Sequence, residues 1–166
     1  MQMGKENMRK LLVLFLLVFS TVAEAQLSFK VESNISYPDL RVRIGENVLY
    51  SDLRIRISEN TSYADFDVGV TTKKNKADFI ISESSYSDYK VRASYNVLYS
   101  DLRIRAGANV LHSDLRIKIK KAGKVNYLVY TEKESINLTD LVIALLPAIN
   151  LHTNFKYDSL NDLFKK

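Results

Sequence analysis

Cysteine and tryptophan are absent from this chain of 166 residues, which also has only two prolines, two histidines and five glycines. Without cysteine, no disulfide can staple the fold. Few glycines argue against the glycine-rich calcium-binding loops of some β-helices. The two histidines, His112 and His152, are far apart, and the sequence has no P-loop, dinucleotide fingerprint or histidine cluster with metal spacing. We therefore predict no enzymatic activity, no catalytic residues, no metal and no cofactor.

The first 25 residues have the pattern of a secretory signal peptide. Three basic residues precede the apolar run LLVLFLLVF at 11–19, which is too short to cross a bilayer core of about 30 Å. Ala23-Glu24-Ala25 supplies the small-x-small pattern that a signal peptidase accepts. We expect cleavage after Ala25, a secreted or periplasmic product, and no membrane span in the mature chain. Export without cysteine favours a bacterial envelope.

One motif recurs along most of the remaining chain. The stretch YSDLRIR occurs at 50–56 and again at 99–105. Its aspartate recurs every thirteen residues as a rule, but only ten residues separate Asp78 from Asp88. The copies are YPDLRVRI (37–44), YSDLRIRI (50–57), YADFDVGV (63–70), KADFIISE (76–83), YSDYKVRA (86–93), YSDLRIRA (99–106), HSDLRIKI (112–119), VNYLVYT (125–131) and LTDLVIAL (138–145).

Each copy alternates between apolar and charged residues. Leu53, Ile55 and Ile57 are apolar, whereas Arg54 and Arg56 lie between them. A period of two is typical of a strand with one buried face and one solvent-exposed face. The segments between copies are rich in glycine, asparagine and serine, which favour turns. The sequence therefore predicts a compact all-β repeat domain of about nine short strands.

The connections between these strands limit how the chain can run. About seven residues are available, which is too few for a helical crossover between parallel strands. Two arrangements remain open: an up-and-down meander that closes on itself, or a compact winding with corners at the asparagine and serine clusters. In both, one unit buries only half of its surface, so neighbouring units must cover the rest.

The recurring aspartate has a structural and a functional interpretation. Just before a strand, it can accept backbone N–H groups of its own corner in an Asx-turn. The alternative is a column of carboxylates that binds Ca²⁺, which normally requires glycine-rich loops. We favour the structural role.

The repeated pattern resembles the septoil-knot family of small bacterial domains, whose repeats read approximately Glu-Ser-x-Ala-Asp-Leu-Lys-Val-Tyr. The nearest stretches are LYSDLRIR (49–56 and 98–105), NKADFII (75–81) and KESINLTDLVI (133–143). The resemblance covers roughly 37–145. It implies a compact all-β fold wound as a torus knot with seven crossings. The family has no assigned activity to carry over, so the resemblance names no site residues. This chain lacks the family's glutamine before Ala-Asp and has a basic residue at a position that is often aromatic.

The C-terminal part changes character. The stretch 138–151 loses its charges, and we interpret it as a central buried strand ending at Pro147. The segment 157–166 predicts a short amphipathic helix, capped by Asp158 or Ser159, that lies on the core or docks a partner. The predicted organisation is a signal helix at 1–25, a lead-in at 26–36, a β-repeat domain at 37–146 and a tail at 147–166.

Basic residues at equivalent places on the exposed strand faces are the candidate binding site. Side by side, they would form a ladder that could bind envelope lipopolysaccharide, an acidic glycan or nucleic acid. Alternatively, each arginine is paired with an acidic neighbour on a solvated face. We predict a structural or protein-interaction role, with polyanion binding as the alternative. The candidate anion-binding residues are Arg54, Arg56, Arg92, Arg103, Arg105, Arg116 and Lys118, with Arg41 and Arg43 beside them.

Overall fold

The computed structural model describes residues 26–153 together with Leu160, Leu163 and Phe164. The predicted signal peptide and the predicted helix cap at Asp158 or Ser159 lie outside these residues. The described chain forms nine strands, one short 3-10 turn at Lys74–Lys76 and two short helices. The strands are β1 (Leu27–Glu32), β2 (Leu40–Gly45), β3 (Leu53–Ser58), β4 (Phe66–Thr71), β5 (Phe79–Ile81), β6 (Tyr89–Ser94), β7 (Leu102–Gly107), β8 (Leu115–Lys120) and β9 (Tyr127–Thr131), and the helices are α1 (Leu138–Ala144) and α2 (Leu146–His152).

The nine strands close into one barrel in which all neighbours are parallel. The order around the barrel is β1-β5-β9-β4-β8-β3-β7-β2-β6, so consecutive strands are never neighbours. The chain circles the barrel once with β1 to β5, and a second circuit fits β6 to β9 between them. The predicted β-strand content is confirmed. The up-and-down meander is wrong, because neighbouring strands are parallel. Of the two predicted arrangements, the compact winding is the one that fits the path of the chain.

A regular stagger makes the short connections possible. At eight of the nine interfaces each strand begins level with the third residue of its neighbour. Two such interfaces separate consecutive strands, so Leu53 at the start of β3 lies level with Ile44 near the end of β2, through Ile104. The connection therefore needs to cross only the one strand that lies between. The chain advances four residues from Leu40 to Ile44, and nine more residues bring it to Leu53 at the same level, which together make the step of thirteen.

The interface between β5 and β1 is the exception, and we call it the seam. Leu27 pairs with Phe79, so both strands begin at the same level. Tyr89, the first residue of β6, lies level with Ile81 through Phe29. Here the chain advances two residues from Phe79 to Ile81, and eight more bring it to Tyr89 at the same level, which together make the step of ten. The short step between Asp78 and Asp88 is thus the mark of the seam in the sequence.

The helices fill the inside of the barrel. Leu141 to Leu146 are all at most 3% exposed, and they pack with the inward-facing residues of the strands in one core. A helix surrounded by a barrel wall must be largely apolar on every side, which explains why 138–151 contains no charged residue except Asp140, which is paired with Lys133. The strand predicted at 138–145 is therefore wrong, because this segment forms α1. Pro147 lies in the first turn of α2, where its missing N–H costs nothing.

The helical segment runs from one end of the barrel to the other. At the end where strands finish, Asp140 of α1 lies 2.9 Å from Lys133 Nζ, which also donates to the carbonyl oxygen of Val31 (3.0 Å). At the end where strands begin, which we call the lower rim, the rings of His152 and Phe66 are 4.8 Å apart. Leu160 is buried, and Phe164 packs edge-on against Tyr89. The hydrogen bond from the Phe164 N–H to the Leu160 carbonyl oxygen (3.0 Å) agrees with the predicted C-terminal helix.

Candidate functional site: the lower rim

Each recurring aspartate binds the neighbouring strand. The Asp52 N–H donates to the carbonyl oxygen of Arg103 (2.8 Å), and its carboxylate accepts the Arg103 N–H (2.8 Å). The partner is always the second residue of the neighbouring strand, whose N–H the stagger leaves without a strand partner. We call these contacts the aspartate caps. The pairs are Asp39 with Lys90, Asp52 with Arg103, Asp65 with Arg116, Asp78 with Leu128, Asp88 with Ser28, Asp101 with Arg41, Asp114 with Arg54, and Asn126 with Asp67.

The caps show that the predicted Asx-turn within each corner is wrong. Their role is structural, but the N–H groups they accept come from a strand 50 to 60 residues away, not from their own corner. Asp140 belongs to α1 and is no cap. Its carboxylate is 3% exposed, lies 2.9 Å from Lys133 Nζ and accepts from the Asn137 side chain (3.0 Å). Within residues 26–153, no three histidine or acidic side chains converge as metal ligands would.

The register places the predicted basic residues side by side. Arg41 pairs with Arg92, Arg43 with Arg103, Arg54 with Arg105, Arg56 with Arg116, and Ser58 with Lys118. Like charges directly opposite each other destabilise a sheet unless other groups compensate them.

The compensating groups are the caps and the connections. Arg54 binds the Asp114 carboxylate (3.0 Å), which raises the pKa of Arg54, and Arg103 binds Asp52 (2.9 Å). On three strands, β3, β6 and β7, the next basic residue reaches the connection that crosses outside it. These bonds run from Arg56 to the carbonyl oxygen of Ala108 (3.2 Å), from Arg92 to that of Ser33 (3.0 Å) and from Arg105 to that of Glu46 (2.8 Å).

A second set of residues at the lower rim carries no evident structural role. At six of the eight caps an aromatic residue, five times tyrosine and once histidine, stands two positions before the cap residue. The tyrosines are 87–93% exposed. They precede β6, β2, β7, β3, β8 and β4, which are six adjacent strands of the barrel. These corner aromatics are Tyr37, Tyr50, Tyr63, Tyr86, Tyr99 and His112.

The backbone at these corners is unfavourable for an aromatic residue. Tyr50, Tyr63, Tyr99 and His112 have φ values of 50–52°, in the left-handed region that glycine and asparagine prefer. A side chain that is about nine-tenths exposed gains little from burial. Neither packing nor backbone preference therefore explains the tyrosine. The sequence shows that these letters recur, but it does not show that the side chains point into solvent.

Leucines extend this exposed surface over three adjacent strands. Leu98, Leu49 and Leu111 are 72–76% exposed and directly precede the corner aromatics of β7, β3 and β8. Single exposed apolar residues are ordinary, but a contiguous patch marks an interaction surface. The corner aromatics with these leucines are therefore the candidate functional surface.

Shallow grooves with balanced charge lie beside the corners. The groove at Tyr50 is lined by Leu49, Ser51, Asp52, Arg54, Arg105 and Asp114, and by His152 and Thr153 at the end of α2. The groove at Tyr63 is lined by Glu59, Asn60, Asp67, Lys118 and Lys120. Each groove combines a corner tyrosine with two carboxylates and two lysine or arginine side chains.

Comparison with protein families, with curated proteins and with solved structures returns no match for this chain. No helix within residues 26–153 has both the length and the apolar character needed to cross a membrane. What the chain does must be inferred from its own residues.

Proposed function

We propose that this chain is a non-enzymatic, exported β-repeat domain that acts by binding, with the corner aromatics as its contact surface. The observation that carries the proposal is the exposure of five tyrosines, at 87–93%, on a rim whose stability they do not serve. Export rests on the signal-peptide pattern of residues 1–25. A structural or protein-interaction role fits a repeat that presents the same side chains many times.

The test replaces all five corner tyrosines by asparagine, which tolerates the left-handed backbone. The variant should fold, as judged by circular dichroism and urea unfolding, but should no longer co-sediment with fragments of the host cell envelope. Val70→Ala is the control, because Val70 is an exposed apolar residue (46%) near the end of β4, at the opposite end of that strand from the corner at Tyr63. Equal sedimentation of the two variants would contradict the binding role. Turnover of any substrate that one substitution abolishes would contradict the non-enzymatic role.

Polyanion binding is the second candidate, supported by the four arginine pairs in the register. If the ladder binds polyanions, heparin affinity should be measurable at low salt and should fall steeply as salt is raised. Arg54→Ala combined with Arg103→Ala should weaken it and reduce the salt dependence. No affinity at low salt, or an unchanged affinity in the double variant, removes this candidate.

The septoil-knot topology is a further part of the proposal. Two interleaved circuits of one chain support it, because such a winding can trap its own ends. When the two termini of the protein are pulled apart in an optical trap, a knotted chain should extend to less than its full contour length. Recovery of the full length would contradict the knot.

A further inference from the structure

We propose that the corner aromatics bind a neutral, hydroxyl-rich polysaccharide, with sugar rings lying against successive corners. This inference rests on the proposed binding role and specifies the class of ligand. Its basis is the combination of an exposed aromatic face, a charge-balanced polar groove and a repeated geometry.

The aromatic face suits one side of a sugar ring. A pyranose presents a flat face of C–H groups, and its hydroxyl groups project around the edge. Tyr50 and Tyr99 offer rings that are 87% and 93% exposed, with Leu49 and Leu98 adding apolar surface beside them. A tyrosine supplies a large rigid contact area and also a hydroxyl group that can hydrogen-bond.

The charges in the grooves favour a neutral ligand. Asp52 and Asp114 face Arg54 and Arg105 in the groove at Tyr50. A phosphate or sulfate polymer would meet as many carboxylates as cations there. A hydroxyl group, in contrast, can donate to a carboxylate and accept from a guanidinium at once. Arg54 is already held by Asp114 at 3.0 Å, so these groups are oriented before a ligand arrives.

The same balance of carboxylates and cations recurs in a second groove, two corners further around the barrel. Glu59 and Asp67 face Lys118 and Lys120 in the groove at Tyr63. The β8 corner, with His112, lies between those of Tyr50 and Tyr63. Similar corners on adjacent strands match a ligand that is itself a repeat. Each groove is shallow, so affinity should come from several corners acting together.

The experiment uses the full chain with cellulose, chitin and xylan in pull-down assays, and with soluble oligosaccharides of the bound polymer in calorimetry. We expect at least one neutral polymer to bind, with a hexasaccharide binding at least about tenfold more tightly than a disaccharide, because it spans more than one corner. Tyr50→Asn combined with Tyr99→Asn should weaken binding by about tenfold or more, since two stacking surfaces are lost. Tyr50→Phe with Tyr99→Phe should retain most of the binding, and Val70→Ala, near the far end of β4, should retain all of it.

The other occupants are outcomes that overturn the inference. Binding to none of the neutral polymers rejects it, as does binding to heparin alone or to phosphatidylglycerol vesicles alone. Self-association that the double asparagine variant abolishes would assign the surface to a second copy of the chain. If the asparagine variant loses envelope association while no polysaccharide binds, the binding role stands and only the ligand class is wrong.

Discussion

Eight interfaces of the barrel are staggered by two residues and carry an aspartate or asparagine cap, whereas the seam between β5 and β1 is not staggered. The residue before β1 is Gln26, and its side-chain amide donates to the Lys74 carbonyl oxygen (3.0 Å). The cap therefore follows from the stagger. Where a strand starts two residues late, one N–H of its neighbour lacks a partner and an aspartate supplies one.

The region around the seam is held by side chains at the opposite end of the barrel. Glu132, just after β9, accepts from Lys74 Nζ (2.7 Å), Ser82 Oγ (2.8 Å) and the Glu83 N–H (3.0 Å). These groups flank β5, which has only three residues. The carboxylate of Glu132 thus holds the segments on both sides of a strand that is too short to be held by many backbone hydrogen bonds.

The largest expected effect comes from shortening a regular connection. Deleting Asn47, Val48 and Leu49 should abolish cooperative unfolding, because β3 could no longer reach the level of Ile44, and buried Val48 would also be lost. Three serines inserted after Ser85, in the connection that leads away from the seam, should cost less than about 1 kcal/mol, since they only lengthen a loop. Urea unfolding followed by circular dichroism measures both. Equal effects would refute the account of the two step lengths.

Removing one cap should have the next largest effect. Asp52→Ala leaves the Arg103 N–H without its acceptor and breaks the ion pair, which should cost about 1–3 kcal/mol of unfolding free energy. Asp52→Asn should cost less, because Asn126 makes the same backbone contact to Asp67 (2.9 Å). Gln26→Ala, at the seam, should change stability by less than about 0.5 kcal/mol. A loss at Gln26 that matches the loss at Asp52 would contradict the link between cap and stagger.

Acid should weaken the contacts that Glu132 makes with Lys74, Ser82 and the Glu83 N–H. Its hydrogen bonds with Lys74, then with Ser82 and the Glu83 N–H, lower the pKa of Glu132 from 4.5 to about 2. A carboxylate with a lowered pKa stabilises the fold above its unfolded pKa and loses that contribution as the pH falls from about 4.5 towards 2. Solvent screening limits the contribution to about 1 kcal/mol. Wild type should therefore lose more stability than Glu132→Gln between pH 5 and pH 2.5, and parallel pH profiles in urea unfolding would refute this.

The smallest effect separates two corner aromatics. Tyr50→Asn should raise the unfolding free energy by about 0.5–1 kcal/mol, because asparagine accepts a φ of 51° more readily. Tyr86→Asn should not, since its φ is not positive although its exposure is 93%. Thermal unfolding of the two variants measures the difference. A stabilisation of equal size in both would mean that backbone strain is not the cause.

The sequence predicts local structure better than it predicts the winding. The alternation of Leu53 and Ile55 with Arg54 is sufficient to predict a strand, because side-chain period is a local property. The stretch Leu27–Glu32 shows the same alternation, but it has no aspartate before it, so the motif alone places these residues in the lead-in and misses β1. The opposite error arose at 138–145, where Thr-Asp-Leu imitates the motif although the segment lacks the charges of an outward face.

The candidate surface was harder to predict for a physical reason. The partner of Asp52 is 51 residues away, and no local pattern announces it. The stagger did leave a trace in the steps of thirteen and ten residues, which can be interpreted only once the register is known. The predicted arginine ladder is present in the register, but its contacts with carboxylates and connections depend on neighbouring strands. Nothing in the letters of Tyr50 reveals its left-handed backbone.

The double winding also governs how this protein can be made. During synthesis, β2, β3 and β4 leave the ribosome with no hydrogen-bonding partner, because every neighbour they require belongs to the second circuit. No hairpin can nucleate the barrel, and nearly all ladder contacts span 50 to 60 residues, which predicts slow folding. Half-made chains expose unpaired strand edges and are at risk of aggregation. A truncated chain would therefore contain no smaller domain, since the first circuit alone pairs only β1 with β5 and the second circuit alone pairs no strands.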